Sequence, residues 1–303
     1  MEYDHKKLIA SLSETQRANV LEKSDRAGLF HLGLHLGAIA LCSTILLLRL
    51  PFYQAALLPQ GILIVFLFTT LHETIHKTAF RSEWLNDLVA GFCGFLVFLP
   101  PTWFRYFHFA HHRYTHDSDR DPELATDKPG TWGGYLLMMT GLPDWVSRIR
   151  TILRNAFVEN SDSFVPPKGR TKVRREAVAY GVAYCVIGLT GIVFAWNAIV
   201  LIWLMPLLIG GPFLRAYLLA EHTLCPHVGN MLLNTRTTFT NAIVRFVAWN
   251  MSYHIEHHAY PAVPFHKLPE FHAIAQAHLG TTENGYVRFN QTFVKTLGGE
   301  SRG

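Results

Sequence analysis

Residues 29–50, 177–196 and 198–218 are apolar stretches long enough to cross a bilayer as helices, which takes about 20 residues each. A fourth, 55–71, reaches that length only if its polar C-terminal end continues as helix out of the membrane, to about residue 76. A fifth, 86–100, is short and ends in Pro100-Pro101, so it reads as a re-entrant or interfacial segment. Of the 303 residues, 50% are apolar, too many for an ordinary soluble domain and too few for spans alone. The expectation is an all-α integral membrane protein with four transmembrane helices and a sizeable water-facing part.

The linkers pair the spans into two hairpins. Leu50-Pro51-Phe52-Tyr53-Gln54 joins the first two spans and Trp196-Asn197 the last two, and neither holds Lys or Arg. Apart from Arg49, nearly every basic residue lies in 1–28, 77–175 or 215–303. Cytoplasmic loops carry the excess of Lys and Arg, so both termini and the middle region are expected on the cytoplasmic side. The expected organisation is a cytoplasmic segment, 1–28, and a single membrane domain, 29–303. Its spans run about 29–50, 55–76, 177–196 and 198–218, with cytoplasmic blocks 77–176 and 219–303. The opening segment lacks the pattern of a cleaved signal peptide. The net charge of +5 does not point to nucleic acid, because the basic residues are dispersed and no nucleic-acid motif is visible. Cys42, Cys93, Cys185 and Cys225 form no CxxC pair and read as buried thiols, not a disulfide frame.

The 17 histidines are the anomaly, and eight of them fall in three clusters. These are His72-Glu73-Thr74-Ile75-His76, His108-Phe109-Ala110-His111-His112 and His254-Ile255-Glu256-His257-His258. On a helix, positions i, i+3 and i+4 share a face, so each cluster is a comb of imidazoles. All three combs are expected on one side of the membrane, in a helical cap that carries a metal site. Imidazole suits iron, zinc or copper, and eight such ligands exceed the needs of one ion. His31 and His35 also form an HxxxH pair, but within the start of the first span, where no metal is expected. His227, His266, His272 and His278 read as surface or packing residues.

In order and spacing, HETIH, HFAHH and HIEHH resemble the three histidine boxes of the membrane fatty acid desaturase superfamily. His112-Arg113-Tyr114-Thr115-His116-Asp117 and His258-Ala259-Tyr260-Pro261 are similar to the runs that follow boxes two and three, and the resemblance covers about residues 30–272. It implies a centre of two iron ions (Fe2+/Fe3+) held almost wholly by His72, His76, His108, His111, His112, His254, His257 and His258. A further histidine between the last span and box three is common in the family, and His222, in Glu221-His222-Thr223, matches it best. His116 matches no box position and is expected to support a ligand from behind. Glu73, Glu221 and Glu256 adjoin the histidines and read either as orienting their rings or as solvated charges beside a polar site. Asn250 lies one helical turn before His254, which resembles a family Asn near this box, though at a different place.

The resemblance implies an O2-dependent oxidoreductase acting on a fatty acyl chain in the bilayer, most simply a desaturase. Two abstractions from neighbouring carbons give a double bond, and one followed by oxygen rebound gives an alcohol. A hydroxylase, a carotenoid-modifying oxygenase and a terminal-alkene-forming fatty acid decarboxylase are therefore the alternatives within the superfamily. The chain shows no Gly-rich dinucleotide motif, haem motif or iron–sulfur motif. An external electron donor, of ferredoxin or cytochrome b5 type, is implied. The run Pro100 to Phe107 reads either as a headgroup contact or as an aromatic belt. HETIH also matches the HExxH pattern of zinc hydrolases, but the other clustered histidines count against it. Transporters place ionisable groups near the midplane of their spans, which are almost free of charge here.

Overall fold

Ser24 starts the first long helix by accepting a hydrogen bond from the Ala27 amide at 3.2 Å, and Asp25 follows in its first turn. This helix, α1 (Asp25–Leu47), ends where Arg49 adopts a left-handed backbone just before Pro51. The computed structural model describes residues 3–194 and 197–298. Trp196, half of the expected second linker, lies outside them. The described chain is mostly helical, and four of its helices are long and apolar enough to cross a membrane. The main elements after α1 are α2 (Leu57–Val65), α3 (Leu67–Ile75), α4 (Glu83–Leu96), α5 (Pro101–Tyr114), α6 (Leu142–Phe157), α7 (Pro167–Phe194), α8 (Met205–His222) and α9 (His254–Ala259).

The second apolar stretch is one span, Tyr53–Ile75, with a local irregularity at Phe66 where α2 passes into α3. It does continue in helix as far as Ile75, so the polar end is joined to the span. Thr69 and Thr74 return their hydroxyls to carbonyls three and four residues back, which satisfies them in an apolar setting. The short fifth stretch is α4, which turns by 98° into α5 at Pro100-Pro101. Proline at these positions cannot continue the helix and restricts the residue before it.

α7 has 28 residues, a length of about 42 Å at 1.5 Å per residue, beyond the roughly 30 Å of a hydrocarbon core. Its first turns hold Lys168, Arg170, Lys172, Arg174 and Arg175, and further on Val178, Val182, Val186, Leu189, Ile192 and Val193 are exposed. An exposed apolar face on one long helix is what lipid contact requires.

The spans are held together by close approach and by a few polar ties. α8 packs most extensively on α2. Their crossing point is Gly61 against Gly210, where a Cβ on Gly61 would lie 2.5 Å from the Pro206 carbonyl and one on Gly210 would collide with the Gly61 carbonyl. Small residues at a helix crossing let backbones touch, the usual device where lipid offers no hydrophobic drive. Gln60, buried beside it, donates to Ser43 at 2.9 Å and to the Ile202 carbonyl at 2.8 Å. His35 reaches the Leu63 carbonyl at 2.9 Å and His31 the Phe246 carbonyl at 2.8 Å, so both are tied to backbone.

Three arginines from distant segments close helix ends. Arg105 donates to the Ile75 carbonyl at the end of α3, and Arg148 donates to the Val97 carbonyl just past α4, at 2.7 Å. Arg236 donates to the Ala220 and Thr223 carbonyls at the end of α8, at 2.5 and 2.8 Å. Each guanidinium satisfies carbonyls a helix leaves unpaired and sits at the negative end of its dipole. After α8 a short parallel pair, β1 (Thr237–Phe239) and β2 (Thr282–Asn284), joins the C-terminal region to the segment before α9.

Gly210→Val should cost at least the ~1–3 kcal/mol of ordinary overpacking, because the obstacle is backbone. The expected outcome is a clear fall in melting temperature and monodisperse yield in detergent. Gly37→Ala, on α1 with nothing within 4 Å of the new atom, should leave both unchanged.

Candidate metal centre and the cavity beside it

The three histidine combs stand on different supports. His72 lies in α3, with His76 at its C-terminal boundary. His108, His111 and His112 share one face of α5. His254, His257 and His258 occupy the six-residue α9, too short to be stable alone. That helix is pinned from behind. Glu256, fully buried, accepts from the Thr237 hydroxyl at 2.5 Å and pairs with His272, while Thr237 Oγ1 also accepts from the Ile255 amide at 3.2 Å.

The combs converge into two groups. His72, His76, His108, His112 and His257 offer ring nitrogens that all lie within 4.8 Å of one another, and His111, His222 and His258 do the same. His254 adjoins the second group, its Nε2 3.1 Å from that of His222. The groups touch through His112 and His258, whose rings stack at 4.0 Å. All nine histidines expected from the sequence therefore meet in one place. His116 stands behind: its Nε2 reaches the Asn234 carbonyl at 2.8 Å, and the same carbonyl lies 3.4 Å from His222 Nδ1.

These distances test whether the donor set fits metal. Nε2 atoms face one another at 2.8 Å for His108 and His112, 3.1 Å for His112 and His257, and 3.1 Å for His111 and His222. With metal–nitrogen bonds of about 2.1 Å, ligands at right angles lie about 3 Å apart, so these contacts have the span of a coordination-polyhedron edge. Both ring nitrogens of His72 and His258 and the Nδ1 of His112, His254 and His257 are buried without a hydrogen bond. Buried polar atoms are rarely left so unless an ion or water engages them. The residues fit two imidazole-held metal ions.

Electrostatics point the same way. Burial first, and neighbouring imidazoles second, push His108, His112, His254, His257 and His258 well below the usual histidine range. The neutral ring is the form that ligates. His111 is the exception: burial disfavours its charge, but Glu123 and the Asp121 hydrogen bond outweigh that and raise its pKa. Asp121 Oδ1 accepts from His111 Nδ1 at 3.0 Å, and Glu123 lies 3.7 Å away. A field that favours a proton on this ring also favours a metal ion in the proton's place.

Asp121 and Glu123 escaped the sequence reading. The available signal was an acidic turn, Asp121-Pro122-Glu123, a few residues beyond the second comb. Of the glutamates singled out there, Glu221 lies 3.5 Å from His254 Nδ1, whereas Glu73 accepts from the Phe265 amide at 3.0 Å and Glu256 faces Thr237 and His272. Asn250 is not on the helix of His254. Its backbone is left-handed, and its amide donates to the Phe265 carbonyl at 3.0 Å.

A cavity of about 710 Å³ opens onto the cluster, with His72, His108, His111 and His254 in its wall. Phe68, Trp103, Phe104 and Phe107 make an aromatic lining beside them. Part of the Pro100–Phe107 run thus faces inward: Trp103 is fixed by a hydrogen bond to Asp162 at 2.7 Å, and Arg105 points back to α3. The size is that of a site enclosing a single small ligand.

Comparison with known proteins finds the family described as "Fatty acid desaturase" over residues 48–290. The sn-1 oleoyl-lipid 12-desaturase of Picosynechococcus sp. is 26% identical over 242 residues, covering 69% of this chain and 65% of that protein. A sphingolipid delta(4)-desaturase of Candida albicans is 25% identical over 224 residues, covering 69% and 58%. A sphingolipid delta(4)-desaturase/C4-monooxygenase of Rattus norvegicus is 26% identical over 210 residues, covering 68% and 60%. The chain thus matches less than two thirds of the length of each of these relatives.

Replacing Asp121 by Asn should leave the fold intact and lower metal affinity about 10- to 100-fold, the usual effect of removing a carboxylate behind a ligating histidine. Metal per protein after dialysis against a mild chelator measures it. Retention equal to the wild type would separate Asp121 from the site.

Proposed function

Because the chain belongs to the fatty acid desaturase family, we propose that it is an integral membrane oxidoreductase that uses O2 to insert a double bond into a lipid alkyl chain at a histidine-held di-iron centre. The observation that carries this reading is that buried imidazoles and an aromatic-walled cavity share His72, His108, His111 and His254. When bound and reduced, iron supplies the power to oxidise an unactivated C–H bond with O2, which side-chain acid–base chemistry lacks.

The chain's own residues hold, orient and exclude water. His72, His76, His108, His112 and His257 would hold one ion, and His111, His222, His258 and His254 the other. Asp121 and Glu123 orient His111. Phe68, Phe104 and Phe107 give an alkyl chain a dry wall beside the histidines. The four apolar helices form two hairpins, with α4 re-entrant, and hold the centre in a helical cap on the cytoplasmic side with both termini. Positive charge on that side supports this orientation. Electrons come from an external donor of ferredoxin or cytochrome b5 type.

Hydroxylation is the second reading, favoured by the rat relative, whose name couples desaturase with monooxygenase. Zinc-dependent hydrolysis at HETIH is disfavoured, because Glu73, which would be the base, does not line the cavity beside the histidines and has one oxygen taken by the Phe265 amide.

Mass spectrometry of lipids from cells expressing the wild type, against His257→Ala, His258→Ala, tests the proposal. A new double bond should appear with the wild type and vanish with the variant, together with bound iron. A new alcohol that vanishes in the same way would establish the second reading instead. Zinc with lipid hydrolysis would overturn both.

A further inference from the structure

Arg215 is an arginine inside a stretch apolar enough to cross a membrane, Asn197–His222. An ionisable residue at such a position faces a cavity or a partner and marks function. Arg215 lines the cavity beside the histidines. Its one ion pair among the described residues is loose, Nη1 to Asp144 Oδ1 at 3.5 Å. Asp144 is held more closely by Arg148, at 3.0 Å, and Arg148 is itself committed to the Val97 carbonyl and to the ring of Trp145. Arg148 is therefore structural, whereas most of the five donors of the Arg215 guanidinium remain for something in the cavity.

The charges on this wall do not cancel. Arg148 and Arg215 share one carboxylate, Asp144. The other acids lining the cavity have nearer partners: Glu221 lies beside His254 and only within the longer-range field of Arg215, Glu123 faces His111, and Asp162 faces Trp103 and Arg154, while Asp127 is exposed. Arg215 and His222 are seven residues apart on α8, two turns along one face and about 10 Å along the axis. A ligand held at Arg215 thus points along the helix toward the histidines.

We propose that Arg215, positioned by Asp144, is the headgroup-recognising residue of this cavity and takes a free carboxylate. This rests on the lipid-oxidising reading above and names its substrate class: a fatty acid with an ionised carboxyl group, drawn into the protein headgroup first. Amine-headed sphingoid bases are repelled by the same guanidinium, and esters offer it no charge. The point of attack is then counted from the carboxyl end of the chain.

Binding to the purified full-length protein in a non-ionic detergent tests this by calorimetric titration with octadecanoic acid, its methyl ester and sphinganine. The acid should bind at least tenfold more tightly than the ester, and sphinganine most weakly. Arg215→Gln should erase the difference between acid and ester, and Arg215→Lys should keep most of it. His257→Ala, His258→Ala should also keep it, because a carboxylate held by Arg215 does not need metal; loss there would mean that the acid binds the metal instead, and would overturn the proposal. Equal binding of acid and ester by the wild type, or a preference that survives Arg215→Gln, would overturn it too. A preserved preference in a protein that modifies no lipid would defeat the reading of function and leave this one standing.

Discussion

Nine imidazoles crowded nitrogen against nitrogen in a dry interior repel one another unless something positive takes up their lone pairs. That constraint governs the region around them. Neutral rings at 2.8–3.1 Å, several without hydrogen bonds, are costly to bury in the absence of a partner. The surroundings therefore have to hold them in place. Glu256, Thr237 and His272 stake down α9, Asp121 and Glu123 fix His111, and the Asn234 carbonyl backs His116 and His222.

The histidine-bearing helices also need ends that stay wound. Arg105 and Arg236 provide them for α3 and α8 by closing the carbonyls next to His76 and His222. Arg105 comes from α5 and Arg236 from the run after α8, so the positions of His76 and His222 depend on packing between elements. The Gly61–Gly210 contact then sets the distance between α2 and α8, and with it the width of the space between the first comb and His222.

Much of this was legible in the sequence because it is local. Histidines at spacings of three and four show a shared face without any knowledge of the rest of the chain, and all nine meet in the folded protein. The apolar stretches are equally local signals, and four helices of sufficient length stand where they were expected. The local irregularity at Phe66 was not legible, because both sides of it are equally apolar. Asn250 was read as one helical turn from His254, but a left-handed backbone separates the two. Asp121 and the Asp144–Arg215 pair were missed for other reasons. Asp121 is brought back to His111 by a turn beyond α5, which helical spacing does not describe, and no spacing rule joins Asp144 on α6 to Arg215 on α8.

His112 and His257 are 3.1 Å apart in space and 145 residues apart in the chain. During synthesis the first two combs therefore leave the ribosome, and their spans enter the bilayer, long before the third exists. Until residue 258 has emerged, the half-built cluster lacks the rings that complete both groups. Completion of the histidine cluster is thus a late event in biogenesis, and a chain cut short after its last long apolar helix would keep those helices while losing the third comb.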